Sequence, residues 1–287
     1  MTWLRPLLPL LPLLASGCVG VPSPLAPGQA GTVGVPHLGV QTDAVQLPTR
    51  GVGFVRYRPL GHHYWGLPRL VNAIEAAASY VAEAVPGGAP LVVGDLSARA
   101  GGKIVGHNSH RSGRDVDLLY YVTTPAGAPL ESRGFVPLEG DGLGYVPETG
   151  EFVRVDLVRQ WQLVKFLLTT REVGVQFMFM SRSIEALLIE YALARAEPLE
   201  LVHRAQSVLF QPTDSTPHDD HMHLRIACAP EEGVTGCSGG GPYWEWLPQP
   251  QTPLPLDAET LAVIAEDDPL PSEESLANGS ASTPGGA

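Results

Sequence analysis

Histidine and aspartate are concentrated in two short segments of this chain. The first segment, GHNSHRSGRDVDL, covers residues 106–118, and the second, HDDHMHLRIAC, covers residues 218–228. Together they contain five of the nine histidines and four aspartates. Imidazole nitrogens and carboxylate oxygens are ligands that Zn²⁺ accepts in proteins. The two segments are therefore candidates for one metal-binding site.

In the first segment, His110 precedes Asp117 by seven residues. A Ser/Gly/Arg loop that folds back beside the strand it enters can bring both side chains to one ion. Three protein ligands and a water make an open, catalytic zinc site, whereas a fourth ligand, commonly Cys, closes a structural one. Taken singly, His110 is equally well explained as an exposed loop residue, and Asp115 and Asp117 as a solvated strand face. Their occurrence together with the second segment favours the metal site.

In the second segment, His221 and His223 are separated by one residue. Side chains two apart in a strand point to the same side, so both rings can approach one ion. An HxH pair is frequent by chance, and a polar strand face is the alternative. His218 adds a titratable group on the loop that enters the strand. The chain has no HExxH motif, so histidine rather than a helical glutamate is expected to perform the acid–base chemistry.

Hydrophobic periodicity predicts the elements that position these residues. Helices are expected over residues 69–84, from Leu157 to Leu168 and from Ile184 to Tyr191. Strands are expected at residues 91–93, 114–124, 175–180 and 221–229. The elements alternate without regular βαβ spacing. The predicted fold is therefore α+β, a single domain with a central antiparallel sheet flanked by helices.

The two ends of the chain differ in composition from its middle. Residues 1–18 resemble a secretory signal peptide, and the small residues before Cys18 resemble a bacterial lipobox, which predicts lipidation of Cys18. The alternative is an ordinary signal peptide. Residues 19–51 are rich in Pro and Gly and predict a flexible tether, and residues 52–246 predict the folded domain. Residues 247–287 are Pro-rich and then acidic, and predict a disordered tail.

Cysteine and charge narrow the class of protein further. Cys228 and Cys237 form an even pair in a chain expected to be exported, which predicts a disulfide worth roughly 2–3 kcal/mol. Metal ligation is the alternative for this pair, but its spacing is not CxxC. The formal net charge is −12, and seven acidic residues lie between Asp257 and the C-terminus. No basic stripe is present, so nucleic acid is excluded as a partner.

The spacing of His110 and Asp117, with HxH far downstream, resembles zinc peptidases that share a fold with lysostaphin, the D-Ala-D-Ala metallopeptidases and the hedgehog signalling domain. The closer resemblance is to the penicillin-insensitive murein endopeptidases. It is carried by GHNSHRSGRDVDL, by VVGDLSARAGG at residues 92–102 and by HDDHMHLRIAC. It covers roughly residues 52–246. It implies a metallo-endopeptidase that hydrolyses D-alanyl to diaminopimelyl cross-links of peptidoglycan. Together with the predicted lipobox, this function predicts a periplasmic protein held at the membrane by a lipid anchor.

The resemblance also implies a role for each histidine. Zn²⁺ would be held by His110, Asp117 and His223. The catalytic residues would be His221, beside the zinc-bound water, and His218, which would assist it.

Three further positions stay open at the sequence level. His107 would lie at the same cleft, behind the ligands or on a second metal, or would fix the loop by a hydrogen bond. Asp115 is an alternative carboxylate ligand because it shares a strand face with Asp117. Asp219 and Asp220 would either orient the catalytic histidines or lie exposed in a turn.

Two other functions fit the same residues. A peptidase of this fold could remove a terminal D-Ala as a carboxypeptidase. A wall-binding lipoprotein could hold zinc without turnover, although such a module has no need of His218 and His221. Members of the family can carry further disulfides, and this chain has one predicted pair.

Overall fold

The computed structural model describes residues 31–213, 215–233, 236–239 and 242–249. These residues contain four α-helices: α1 (Pro68–Ala84), α2 (Leu157–Thr169), α3 (Arg182–Ala194) and α4 (Leu199–Val208). The strands before α2 are β1 (Gly31–Val35), β2 (Leu38–Thr42), β3 (Val45–Gln46), β4 (Arg50–Gly51), β5 (Phe54–Arg56), β6 (Trp65–Gly66), β7 (Leu91–Val93), β8 (Asp115–Leu119), β9 (Val122–Thr123), β10 (Pro129–Leu130), β11 (Leu143–Val146) and β12 (Glu151–Val155). Those after it are β13 (Val175–Phe179), β14 (Leu209–Phe210) and β15 (His221–Ile226).

The largest sheet has seven strands in the order β14-β13-β15-β8-β7-β5-β4. Its four central strands, β13, β15, β8 and β7, pair antiparallel, whereas β14 and β5 add in parallel on either side. The remaining strands form a four-stranded sheet, β10-β9-β12-β11, the hairpin β1-β2, and a two-stranded sheet, β3-β6. The predicted α+β fold with a central antiparallel sheet is confirmed.

Strands β8 and β15 separate an apolar face from a polar one, as the period of a strand requires. Their apolar side chains on one face, Val116, Leu118, Met222 and Leu224, are at most 1% exposed and join the main core. The aspartates and histidines of the two strands therefore project from the opposite face, where the candidate site lies.

The helices begin where local chemistry predicts. Pro68 occupies the first turn of α1, where its missing N–H costs nothing. Asp156 caps α2 by accepting a hydrogen bond from the backbone N–H of Arg159 at 3.1 Å, and Ser181 caps α3. All three helices predicted from periodicity are present, and α4 is an additional one.

Two boundaries differ from the sequence-based expectation. The strand predicted over residues 114–124 is interrupted, because β8 ends at Leu119 and β9, which begins at Val122, joins the smaller sheet. Residues 31–51, within the predicted tether, form strands β1–β4. The first hairpin is anchored by backbone hydrogen bonds between Gly34 and residues 236 and 238, contacts that local composition does not reveal.

The predicted disulfide between Cys228 and Cys237 is present. Arg114 is fully buried beside it and donates hydrogen bonds to Cys228 Sγ at 3.3 Å and to the carbonyl of Ser238 at 2.7 Å. Cys18 and residues 250–287 lie outside the described residues. Among the residues that the structure describes, no helix has both the length and the apolar composition needed to span a membrane.

Candidate functional site

The register of two antiparallel strands brings the two polar segments of the sequence together. His223 of β15 lies directly opposite Asp117 of β8, and Arg225 lies opposite Asp115. Because side chains of directly opposed residues share a face, both acids and their partners project to one side of the sheet. The side chains of Asp115 and Asp117 are 0% and 2% exposed, so two carboxylates are buried here.

His110 reaches the same point from the loop before β8. Its backbone is left-handed, with φ +62°, and its ring is 1% exposed. Nδ1 lies 2.8 Å from the carbonyl oxygen of Leu96, and because a carbonyl only accepts, Nδ1 carries the proton. The Nε2 lone pair is thereby left facing Asp117.

One oxygen of Asp117 is the focus of three imidazoles. Oδ1 lies 3.2 Å from His110 Nε2, 3.2 Å from His223 Nδ1 and 3.3 Å from His221 Nε2. Within the described residues, His110 Nε2 and Asp117 Oδ1 are buried without a hydrogen bond. Two ligands of a tetrahedral ion, each about 2.0–2.1 Å from it, are about 3.3–3.4 Å apart.

These residues therefore fit a zinc ion. Buried polar atoms normally have partners, and a cation at this point would satisfy both unbonded atoms. The described residues offer two separate groups of three side chains whose ligand atoms lie close enough to hold a metal ion: His218, His221 and His223, and His107, His110 and Asp117. The predicted ligand set, His110, Asp117 and His223, takes members from both groups. In this set, Asp117 Oδ1 lies 3.2 Å from His110 Nε2 and 3.2 Å from His223 Nδ1.

His221 is held on the open side of the cluster, with 17% of its side chain exposed. Its Nδ1 lies 2.5 Å from Asp220 Oδ1, so Asp220 orients this ring rather than lying free in a turn. Burial alone would lower the pKa of His221, but in the metal-free protein Asp117 and Asp220 raise it to about 10.

His218 lies beside His221, with a centroid separation of 5.1 Å between the two rings. Its backbone is fixed by the hydroxyl of Tyr120, which donates to the carbonyl of His218 at 2.9 Å. Burial, then the neighbouring His223 and His221, lower the pKa of His218 to about 4. The two predicted catalytic histidines are thus adjacent but have opposite proton affinities.

Asp115 lies behind His223 rather than among the atoms that face Asp117. Its Oδ1 accepts from His223 Nε2 at 2.8 Å and from Arg225 Nε at 2.6 Å. Burial would raise the pKa of Asp115, but Arg225 and His223 lower it far more strongly. His223 Nε2 is hydrogen-bonded to Asp115, whereas Nδ1 faces Asp117 and is free to bind a metal. The geometry therefore favours Asp117 over Asp115 as the carboxylate ligand.

Asp95 is a site residue that the sequence analysis missed. It follows β7 by two residues, and its Oδ2 lies 3.2 Å from His107 Nε2. The other ring nitrogen of His107 lies 3.7 Å from Asp117 Oδ2, so His107 bridges two carboxylates. The position of an acid just after a short buried strand was the available signal, and it is weak on its own.

Aromatic side chains pack against two of the histidines. Phe135 packs edge-on against His221, with ring centroids 5.3 Å apart, and Phe179 packs against His223 at the same separation. Gly94 lies beneath the cluster, where an added Cβ would come within 3.1 Å of the Asp117 Cβ and the Phe135 ring. These contacts leave the imidazoles little freedom to rotate.

Comparison with known proteins places this arrangement in a family. Residues 32–243 match the family model described as penicillin-insensitive murein endopeptidase. Curated proteins of that name are similar to this chain. The one from Haemophilus influenzae is 26% identical over 80% of this chain and 78% of its own length. The one from Klebsiella pneumoniae (strain 342) is 27% identical over 83% and 88%, and that from Escherichia coli (strain K12) 26% over 90% and 96%. The chain therefore belongs to the penicillin-insensitive murein endopeptidase family.

Proposed function

We propose that this protein is a zinc-dependent endopeptidase that hydrolyses D-alanyl to diaminopimelyl cross-links of peptidoglycan in the periplasm. Membership of a family of murein endopeptidases supports the coarser statement, that the protein is a hydrolytic enzyme acting on peptidoglycan. The convergence of three imidazole nitrogens on Asp117 Oδ1 at 3.2–3.3 Å carries the metal-dependent part. A lipid anchor at Cys18 remains part of the proposal.

The proposed ligands are His110, Asp117 and His223. Bound zinc would lower the pKa of a water to about 7 and polarise the scissile carbonyl. The three ligands would leave one position open for that water, as in other catalytic zinc sites.

The remaining chemistry belongs to His221 and His218. In the proposed complex Asp117 binds zinc and would no longer raise the pKa of His221. This histidine, held through Nδ1 by Asp220, would then present Nε2 to the attacking water and accept its proton. The leaving amine then needs a proton. His221 would donate this proton to the amine, assisted by the adjacent His218. Phe135 and Phe179 would exclude bulk water from the walls around these groups.

Digestion of cross-linked muropeptide dimers by a soluble form lacking residues 1–18 tests this function. The untreated enzyme is expected to cleave dimers to monomers. Treatment with a chelator should abolish this cleavage, and added zinc should restore it. Loss of terminal D-Ala from monomers, with dimers intact, would instead identify a carboxypeptidase. Stoichiometric zinc with no cleavage of either substrate would contradict catalysis and leave a wall-binding role.

A further inference from the structure

The side chain of Asp115 is the most completely buried acid at the site, yet the proposed chemistry gives it no task. It is 0% exposed, and its Oδ1 is shared by His223 Nε2 and Arg225 Nε. It lies on the side of His223 that faces away from Asp117. Burial of a charged group costs free energy unless the group is paired and hydrogen-bonded. The partners of Asp115 therefore indicate its role.

The contact with Asp115 determines which nitrogen of His223 is free. An ionised carboxylate only accepts hydrogen bonds, so the proton of the neutral ring must be on Nε2. Nδ1 is then a lone pair, and it is the atom that lies 3.2 Å from Asp117 Oδ1. With the other tautomer, an N–H would point to that position and block a metal there.

Arg225 in turn fixes Asp115. Arg225 lies opposite Asp115 in the strand register, and its guanidinium lies over the Phe179 ring at 5.1 Å from the centroid. Phe179 also packs against His223. The three residues Asp115, Arg225 and Phe179 thus hold the imidazole of His223 from behind and from one side.

We infer that Asp115, held by Arg225, is a positioning residue that selects the tautomer and orientation of His223 and so tunes the affinity of the protein for zinc. This inference rests on the proposed role of His223 as a ligand. Carboxylates that accept from a ligating histidine typically change metal affinity by 10–100-fold when they are replaced. Asp115 is therefore not itself a ligand.

The test is Asp115→Asn, with zinc affinity measured by competition against a chelator of known affinity. The variant is expected to bind one equivalent of zinc about 10–100-fold more weakly than the unsubstituted protein. Side-chain ¹⁵N NMR of the zinc-free protein, at a pH where the ring is neutral, gives a second readout. His223 is expected to carry its proton on Nε2, and to populate both tautomers in Asp115→Asn and Asp115→Ala.

Asp156→Asn is the matched control. Asp156 is also buried, and it accepts from an arginine, Arg159, at 2.6 Å, but it caps α2 away from the cluster. Its replacement should reduce stability without changing zinc affinity. An equal loss of affinity in both variants would show a general effect of destabilisation and overturn the inference.

Two other results would also contradict the inference, and a third would bear on the proposed function instead. Unchanged affinity and an unchanged tautomer in both Asp115→Asn, which keeps an acceptor oxygen, and Asp115→Ala, which removes it, would show that Asp115 does not position His223. A folded Asp115→Asn protein that binds no zinc would identify Asp115 as a ligand. If the unsubstituted protein binds no zinc, the zinc dependence of the proposed function is refuted. The NMR measurement would still decide whether Asp115 selects the tautomer of His223.

Discussion

At the residue scale, the site depends on which atom of each imidazole is left free. One ring nitrogen of each histidine lies within hydrogen-bond distance of a partner: a backbone carbonyl for His110, Asp115 for His223 and Asp220 for His221. In each case the second nitrogen lies within 3.3 Å of Asp117 Oδ1. The same residue type therefore performs different tasks, because its second partner differs.

Replacement of His221 should separate catalysis from metal binding. His221→Ala is expected to retain one equivalent of zinc and to lower the rate of cross-link hydrolysis by roughly 10²–10⁴-fold, the usual contribution of a general base or acid. Zinc content after dialysis and turnover of muropeptide dimers are the measurements. His203→Ala, an exposed histidine on α4, is the control and should change neither. Loss of zinc from His221→Ala would make His221 a ligand instead.

At the element scale, pairing of β8 with β15 joins segments more than 100 residues apart in the sequence. Alternation of apolar and polar residues predicted that these segments are strands, and the histidine spacing predicted which face matters. Periodicity does not specify the register between distant strands, so it left the choice between Asp115 and Asp117 open. The opposition of Asp117 to His223 favours Asp117 as the carboxylate of the proposed ligand set.

The residues that sequence reasoning missed depend on contacts between distant elements. Asp95 becomes a site residue because β7 adjoins β8, and Val93 pairs with Leu118. Residues 31–42 are Gly-rich, and their composition alone resembles that of a linker. Their main-chain partners include residues near 101 and 237, which are distant in the sequence. Local propensity contains no information about such partners, whereas helix periodicity is local, and the three helices that it predicts are present.

Glu197 connects α2 to the segment between α3 and α4. It accepts hydrogen bonds from Trp161 Nε1 at 2.9 Å and from Lys165 Nζ at 2.8 Å. Burial would raise its pKa, but Lys165 and Trp161 lower it. A carboxyl group with a depressed pKa stabilises the fold above its unfolded pKa, and this contribution disappears as the pH falls through its folded pKa.

Glu197→Gln should therefore destabilise the protein in a pH-dependent way. Chemical denaturation at pH 7 is expected to show a loss of about 1 kcal/mol in the free energy of unfolding. The difference should shrink as the pH falls below the ordinary pKa of a glutamate and through the lowered folded pKa of Glu197, where the wild-type carboxyl becomes protonated. Glu200→Gln, whose side chain is 77% exposed, should have little effect at any pH. A difference independent of pH would show that the charge of Glu197 does not contribute.

At the scale of the whole molecule, the charge and the core lie in different parts of the chain. The main core is assembled from residues between Leu47 and Ile226, with Trp244 and Trp246 packed against it. Residues 250–287 contain seven acidic residues and no Lys or Arg, so the chain without them has a net charge of −5 rather than −12. We therefore expect the acidity of these residues to be separable from the fold.

Removal of residues 250–287 tests this separation. The free energy of unfolding should change by less than about 0.5 kcal/mol, because every core residue in the described part of the chain precedes residue 250. Peptidoglycan carries carboxylates, so the shortened chain should digest it faster at low ionic strength. This advantage should vanish in high salt, where the Debye length falls to about 3 Å at 1 M. Replacing the seven acids by amides in the full chain should reproduce the effect. A loss of several kcal/mol on truncation would instead show that residues 250–287 pack on the domain, and an advantage that persists in high salt would exclude charge as its cause.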